Sequence, residues 1–204
     1  MNDVPDRGWR GSADLWLDAA HALLLEGGVE AVKVAPLAAR LNLSRTSFYH
    51  HFADRDALLA ALIARWQSQN TANLVARCEA YAETIAEAVL NVFDCWIDVR
   101  LFDSAMDFAI RNWALTAPDL ADLLQQTDQV RLTALSALFR RFGYDEAQAD
   151  TRARVIYLTQ VGYISMRSAE SLEVRLKRIP AYVMAFTGTA ATDQEMARFT
   201  ARHL

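Results

Sequence analysis

Glycine and proline are scarce in this chain of 204 residues, at 7 and 4. With 53% hydrophobic residues, that scarcity excludes collagen-like and disordered classes and points to dense helix. Cysteine is scarcer still. Cys78 and Cys95 fall on segments of helical spacing, without metal-type spacing or a neighbouring histidine, and read as reduced thiols. The four histidines, His21, His50, His51 and His203, are too scattered for a zinc site, so no metal is expected. No apolar run approaches the roughly 18 residues that span a bilayer. The opening MNDVPDRGWRG carries acids and lacks the apolar core of a signal peptide. A soluble, cytoplasmic protein without a membrane segment or cofactor is expected. Gly-rich phosphate loops, nucleophile elbows, HExxH patterns and paired-cysteine motifs are absent, and Asp94, Asp98, Asp103 and Asp107 have the spacing of solvated helix faces. Both observations argue against an enzyme.

A net charge of −4 and a pI near 5.6 argue against a surface basic all over. One stretch reverses the balance. From Lys33 to Arg55 the charges are Lys33, Arg40, Arg45 and Arg55 against Asp54 alone. Inside that island lies LNLSRTSFYHHF, Leu41 to Phe52, where hydroxyls, histidines and an arginine crowd around aromatics.

The spacing predicts helices almost throughout. Ser12 caps a first helix with apolar positions Leu15, Trp16, Ala19, Ala20, Leu23 and Leu24, ending at Gly27-Gly28. Val34, Leu37, Ala38 and Leu41 mark a second, with Pro36 tolerated in its first turn and Asn42 able to end it in the left-handed region. Ser44 caps a third from Arg45 to about Phe52, in which Phe48 and Phe52 face the core. Asp54 starts a fourth, with Leu58, Leu59, Leu62, Ile63 and Trp66 holding the small helices together. Longer helices follow at about 72–99, 103–115, 118–142, 146–169 and 172–187. TAPD at Thr116–Asp119 has capping-box spacing, Gly143 is a stop, and Asp145 with Gln148 is a start.

Two helices joined by a tight turn, the second short, capped and polar on one face, form a helix-turn-helix suited to the DNA major groove. Arg45 can donate to guanine edges, Ser and Thr hydroxyls to bases or phosphates, and Tyr49 offers a ring and a phenol. The N-terminus capped by Ser44 offers N–H groups to phosphate. The competing description is a solvated polar helix held down by Phe48 and Phe52.

The stretch LNLSRTSFYHHFADRDALLAAL strongly resembles the helix-turn-helix of TetR-family bacterial transcriptional repressors: a Ser-type cap, an aromatic pair ending in HF, and a K/R-x-x-L helix start. The resemblance covers about residues 12–66. Less specifically, FDSAMDFAIRNWALTAPDL, VRLTALSALFRRFGYDEAQADTRARVIYL and GYISM look like the C-terminal domain of one branch of the family. It implies an all-α protein: an arm over 1–11, a DNA-binding domain over 12–66, a ligand-binding and dimerisation domain over 67–190, and a tail over 191–204. It places Arg45, Thr46 and Ser47 at the groove-facing start of the recognition helix, Tyr49, His50 and His51 on backbone or bases, and Arg55 on a phosphate. Asn42 stands where the family has a turn Gly, and Lys33 where a capping Thr or Ser is common; Lys33 could itself meet a phosphate. Arg10 could reach a groove, or remain exposed.

The resemblance further implies a homodimer on a palindromic double-stranded operator, with recognition helices roughly 34 Å apart, and repression relieved by a small-molecule effector. For the dimer, Val155, Leu158, Thr159, Gly162 and Met166 form one stripe and Leu172, Leu176, Ile179 and Val183 another; the alternative is intramolecular core. For the effector pocket, the candidates are Phe93, Trp96, Phe108, Trp113 and Tyr157, with Arg111 as an anion partner unless Asp107, one turn away, holds it in an exposed salt bridge. The rival to the regulator is a helical small-molecule or protein-interaction module without specific DNA binding.

Overall fold

The computed structural model describes residues 11–168 and 170–203; Arg10 and most of the N-terminal arm lie outside them. Among the described residues the regular structure is helical, with eleven α-helices. The chain divides into two compact units between Arg65 and Trp66.

In the first unit, α1 (Ala13–Gly27) starts where Ser12 accepts from Leu15 N at 3.1 Å. It ends at Gly28, whose φ of 71° a side chain would oppose. Its buried face is Trp16, Ala19, Ala20 and Leu24. A short 3-10 turn, Val29–Ala31, precedes α2 (Val34–Leu41). Asn42 closes α2 in the left-handed conformation (φ 52°, ψ 41°), and Leu43 N bonds to Ala38 O at 2.9 Å, so the carbonyls left over at the helix end are paired. Two residues later Ser44 caps α3 by accepting from Ser47 N. As α-helix, α3 covers only Arg45–Phe48, shorter than the sequence suggests. His51 N and Phe52 N both bond to Phe48 O, a tightening at a run of aromatics and histidines that are weak helix formers. Asp54 caps α4 (Arg55–Trp66) through Ala57 N at 2.8 Å.

The second unit corrects the sequence reading at three places. The helix expected over 72–99 is broken: α5 is Ala72–Glu79 and α6 is Ile85–Ile97. Thr84 opens α6 by accepting from Glu87 N, and Glu87 in turn accepts from Glu83 N; the T-x-x-E spacing at 84–87 is a start signal inside an otherwise helical run. The helix α7 is Ser104–Ala114. Thr116 does not cap α8 (Pro118–Arg141); Ala117 holds the cap position with Pro118 first in the helix, and the Thr116 hydroxyl donates back to Trp113 O. After α9 (Glu146–Ser165) and α10 (Leu172–Thr187), the segment expected as a tail forms α11 (Asp193–Ala201), with a full capping box between Thr192 and Glu195. Phe199 of α11 is completely buried, and His203 meets Asp94 of α6 at 2.8 Å.

The core of this unit is built on α6, where Ala86, Val89, Leu90, Val92, Phe93 and Trp96 are buried with Leu135, Phe139, Ile156 and Phe186. Cys78 and Cys95 lie in it as free thiols. Burial raises both, Cys95 to about 12, which makes them poor nucleophiles. No described helix is long and apolar enough to cross a membrane.

Candidate nucleic-acid interface and an aromatic cavity

The packing of α3 decides which side chains are presented. Phe48 is fully buried, edge-on to Trp16 of α1 at 5.4 Å between ring centroids and stacked on Phe52 at 5.6 Å. With Phe48 pointing inward, Ser44, Arg45, Thr46, Tyr49 and His50 are exposed, Tyr49 by 58%. Lys33, at the N-cap of α2, is exposed as well. One cation, two hydroxyls, a phenol and an imidazole are thus exposed on the short element around α3, with the second cation, Lys33, at the start of α2. His51 is half-buried.

Two expected contacts have other work. Ser47 is only 8% exposed, and its hydroxyl meets that of Ser44 at 3.1 Å; one residue after Thr46 on a helix lies about 100° further round, which here is inward. Arg55 donates from Nε to Val32 O at 2.6 Å and from Nη2 to Val29 O at 2.7 Å. It pairs the carbonyls of the 3-10 turn before α2 instead of facing solvent freely. Glu26 and Arg40 form a bidentate pair at 2.8 Å joining α1 to α2, so Arg40 is the member of the basic island already neutralised.

In the second unit, the residues expected around an effector separate into two places. Asp107 is fully buried and accepts from Trp66 Nε1, Arg131 Nη1 and Arg111 Nε, each at 2.9 Å. Arg111 also forks onto Asp128 at 2.8 and 3.0 Å, and Tyr157 donates to Asp128 at 2.6 Å. Burial pushes the Asp107 carboxyl up, but Arg131 and Arg111 outweigh it and hold it below the usual carboxylate range. Two guanidiniums balance two carboxylates. Arg111 is therefore not an anion partner in waiting, and its pair with Asp107 is buried, not exposed. Tyr157 belongs to the same network. Phe108 is half-buried under Arg167, and Trp113 is half-buried elsewhere on α7. Arg131 and Asp128, central to this network, were missed because they show no local pattern: their partners are 17 to 60 residues away in sequence.

Phe93 and Trp96 line a cavity instead, together with Ile156, Thr159 and Tyr163 of α9 and Arg175, Arg178, Tyr182 and Phe186 of α10. Its enclosed volume is about 40 Å³, and about 450 Å³ when the open mouth and the solvent in it are included. Phe93 stands edge-on to Trp96 at 5.3 Å and stacked with Phe186 at 6.2 Å, and the Tyr163 and Tyr182 hydroxyls meet at 2.8 Å.

The expected dimer stripes also divide. Val155, Leu158, Met166 and Leu172 are exposed, Leu158 by 62% and Met166 by 79%, while Thr159, Gly162 and Leu176 are intermediate. Ile179 and Val183 are core residues at 2% and 0%; on α10 they point the opposite way from Val174 and Met184, which are exposed.

Residues 17–62 match the family model described as bacterial regulatory proteins, tetR family. No curated protein matches the chain. Among solved structures, similar folds include a transcriptional regulator from Aquifex aeolicus VF5, described as TerR/AcrR family, at TM-score 0.64 and 14% identity over 87% of this chain and 96% of that one. GusR of Salmonella enterica gives 0.63 and 16% over 87% and 95%, and AmtR of Mycobacterium smegmatis 0.61 and 18% over 98% and 97%. At such identities the likeness is one of fold. With residues 17–62 matched in sequence and both units matched in fold, this chain carries a helix-turn-helix domain matching the tetR family and has the fold of that family's transcriptional regulators.

Proposed function

We propose that this protein is a cytoplasmic, sequence-specific transcriptional repressor that binds a palindromic operator as a homodimer and releases it on binding a small molecule. One observation carries the reading: α3 buries Phe48 and Ser47 and exposes Arg45, Thr46, Tyr49 and His50. The sign of the charge sets this face apart from an ordinary solvated one: from Lys33 to Ala53 the chain carries Lys33, Arg40 and Arg45 and no carboxylate. In this reading Arg45 and Thr46 contact base edges, Tyr49, His50 and His51 contact backbone or bases, and Lys33 and the N-terminus capped by Ser44 meet phosphate. Ser47 and Arg55 act from beneath, holding the element in shape. Residues 12–66 serve as the DNA-binding domain and 67–190 as the effector and dimer domain, with α11 packed onto the latter.

The exposed apolar positions on α9 and α10, namely Val155, Leu158, Met166, Leu172, Val174 and Met184, support pairing of those two helices with a second copy. An effector that binds one arrangement of the dimer better than the other would change operator affinity by roughly 5- to 150-fold. Selection from random duplex DNA, with light scattering of the complex, tests the reading. Enrichment of a palindrome bound by one or two dimers supports it. Failure to enrich any sequence at low salt, where phosphate contacts are strongest, would leave a helical binding module.

A further inference from the structure

The cavity between α6, α9 and α10 has a charge left over. Its wall carries two guanidiniums, Arg175 and Arg178, and one carboxylate, Glu170. Arg178 is paired with Glu170. Arg175 has no ion pair among the described residues; its Nη2 donates to Trp96 O at 2.5 Å, pairing a carbonyl in the last turn of α6. Its other guanidinium N–H groups have no acceptor among the described residues.

A half-buried cation is unfavourable unless something compensates it. Arg111 and Arg131 show the contrast within the same unit: burial alone would lower both, and their aspartates raise both. Arg175 is lowered by burial, which Tyr163 and the Glu170 carboxylate nearby only partly offset. The opposite deficiency belongs to the same lining, where Glu170 Oε2 is buried and accepts no hydrogen bond. The same lining carries rings: Phe93, Trp96, Tyr182 and Phe186 approach one another at 5.3 to 6.5 Å between centroids, a spacing at which planar groups pack edge-on or offset.

We infer that this cavity is the site of a small aromatic carboxylate carrying a hydroxyl or amino donor on its ring, with the carboxylate on Arg175, the donor on Glu170 Oε2, and the ring against Phe93, Trp96 and Tyr182. The inference rests on the effector-binding reading above and gives that effector a chemical class. Neither Arg111 nor Tyr157 takes part, because their network is internally neutral.

Calorimetric titration of the full-length protein with 3-hydroxybenzoate, 3-aminobenzoate and indole-3-carboxylate tests it, with 3-hydroxybenzyl alcohol and hexanoate as comparisons. At least one aromatic acid is expected to bind once per chain, and both comparisons are expected to bind about tenfold or more weakly, since a charge-assisted contact or the ring packing is lost. Arg175→Gln should remove that preference of acid over alcohol. Because Arg175 also pairs the end of α6, the acid-against-alcohol comparison in the unaltered protein stands independently of the variant. Equal affinity for acid and alcohol, or no heat from any of the three aromatic acids at millimolar concentration, overturns the site. Binding that depends on Arg175 but leaves affinity for the selected operator unchanged supports the site and rejects the effector reading. An unresponsive cavity in a protein that selects a palindrome rejects the site and leaves the regulator standing.

Discussion

Phe48 meets Trp16 edge to face, 5.4 Å between centroids and 82° between planes, and through that contact a four-residue helix is held on a fifteen-residue one. Isolated helices this short do not persist in water. Presentation of Arg45 and Tyr49 therefore depends on burial behind them. Phe48→Ala should cost about 3–5 kcal/mol, read by chemical unfolding of the first unit, and should weaken binding to specific and random DNA alike. Retained stability with lost specificity would contradict the supporting role.

Arg55 should behave as a structural residue. It pairs two backbone carbonyls, and hydrogen bonds from charged groups contribute about 1.5–3 kcal/mol each where partly buried. Arg55→Met should therefore lower stability by about 2 kcal/mol or more, while the slope of log affinity against log salt on random duplex DNA changes by much less than the roughly 0.9 expected for one lost phosphate contact. An unchanged unfolding midpoint with a flatter slope would return Arg55 to the phosphate role its position in the sequence suggests.

The Asp107 network should make the second unit acid-sensitive. Its carboxyl is held below the usual range in the folded state. Its contribution is thus present above the unfolded value of about 3.9 and is lost as pH falls below that through the folded value. Asp107→Ala should cost about 3–5 kcal/mol at neutral pH, since Arg131 and Arg111 lose a buried partner, and should flatten the acid limb of stability against pH. Equal acid limbs in parent and variant would contradict this account.

Leu158 and Val183 should respond oppositely to change. Leu158 is exposed on α9 and Val183 is fully buried on α10. Leu158→Glu should leave the unfolding transition of the monomer within about 0.5 kcal/mol and dissociate the dimer in sedimentation. Val183→Ala should cost about 1–3 kcal/mol through burial lost in the core, with no direct effect on association. A Leu158→Glu protein that sediments as a dimer would remove α9 from the proposed interface.

The features legible in sequence are those written in adjacent residues. Ser12, Asn42, Ser44, Asp54 and Asp145 each act within three or four positions, and each terminates or starts a helix as its chemistry suggests. Distance in the chain hides the rest. Thr84 and Thr192 are equally local signals, but one lies inside an unbroken apolar pattern and the other beyond the last long helix. On α10 the stripe of Leu176, Ile179 and Val183 ends in core residues, Ile179 and Val183, and periodicity alone cannot assign such a stripe to core or interface. Arg111 looked available because its second carboxylate, Asp128, comes from another helix. Arg175 carried no signal at all, since its meaning comes from Trp96 and Glu170 on other segments.

The account turns on whether the outward face of α3 reads sequence. The measurement that tests this most directly is the affinity of the parent and Arg45→Ala for a selected palindrome and for a scrambled duplex at one fixed salt concentration. Arg45→Ala should lose about 1–3 kcal/mol on the palindrome, the loss expected for a bidentate base contact, and much less on the scrambled duplex. Equal losses on both would show Arg45 acting on the DNA backbone and would contradict base reading by this helix.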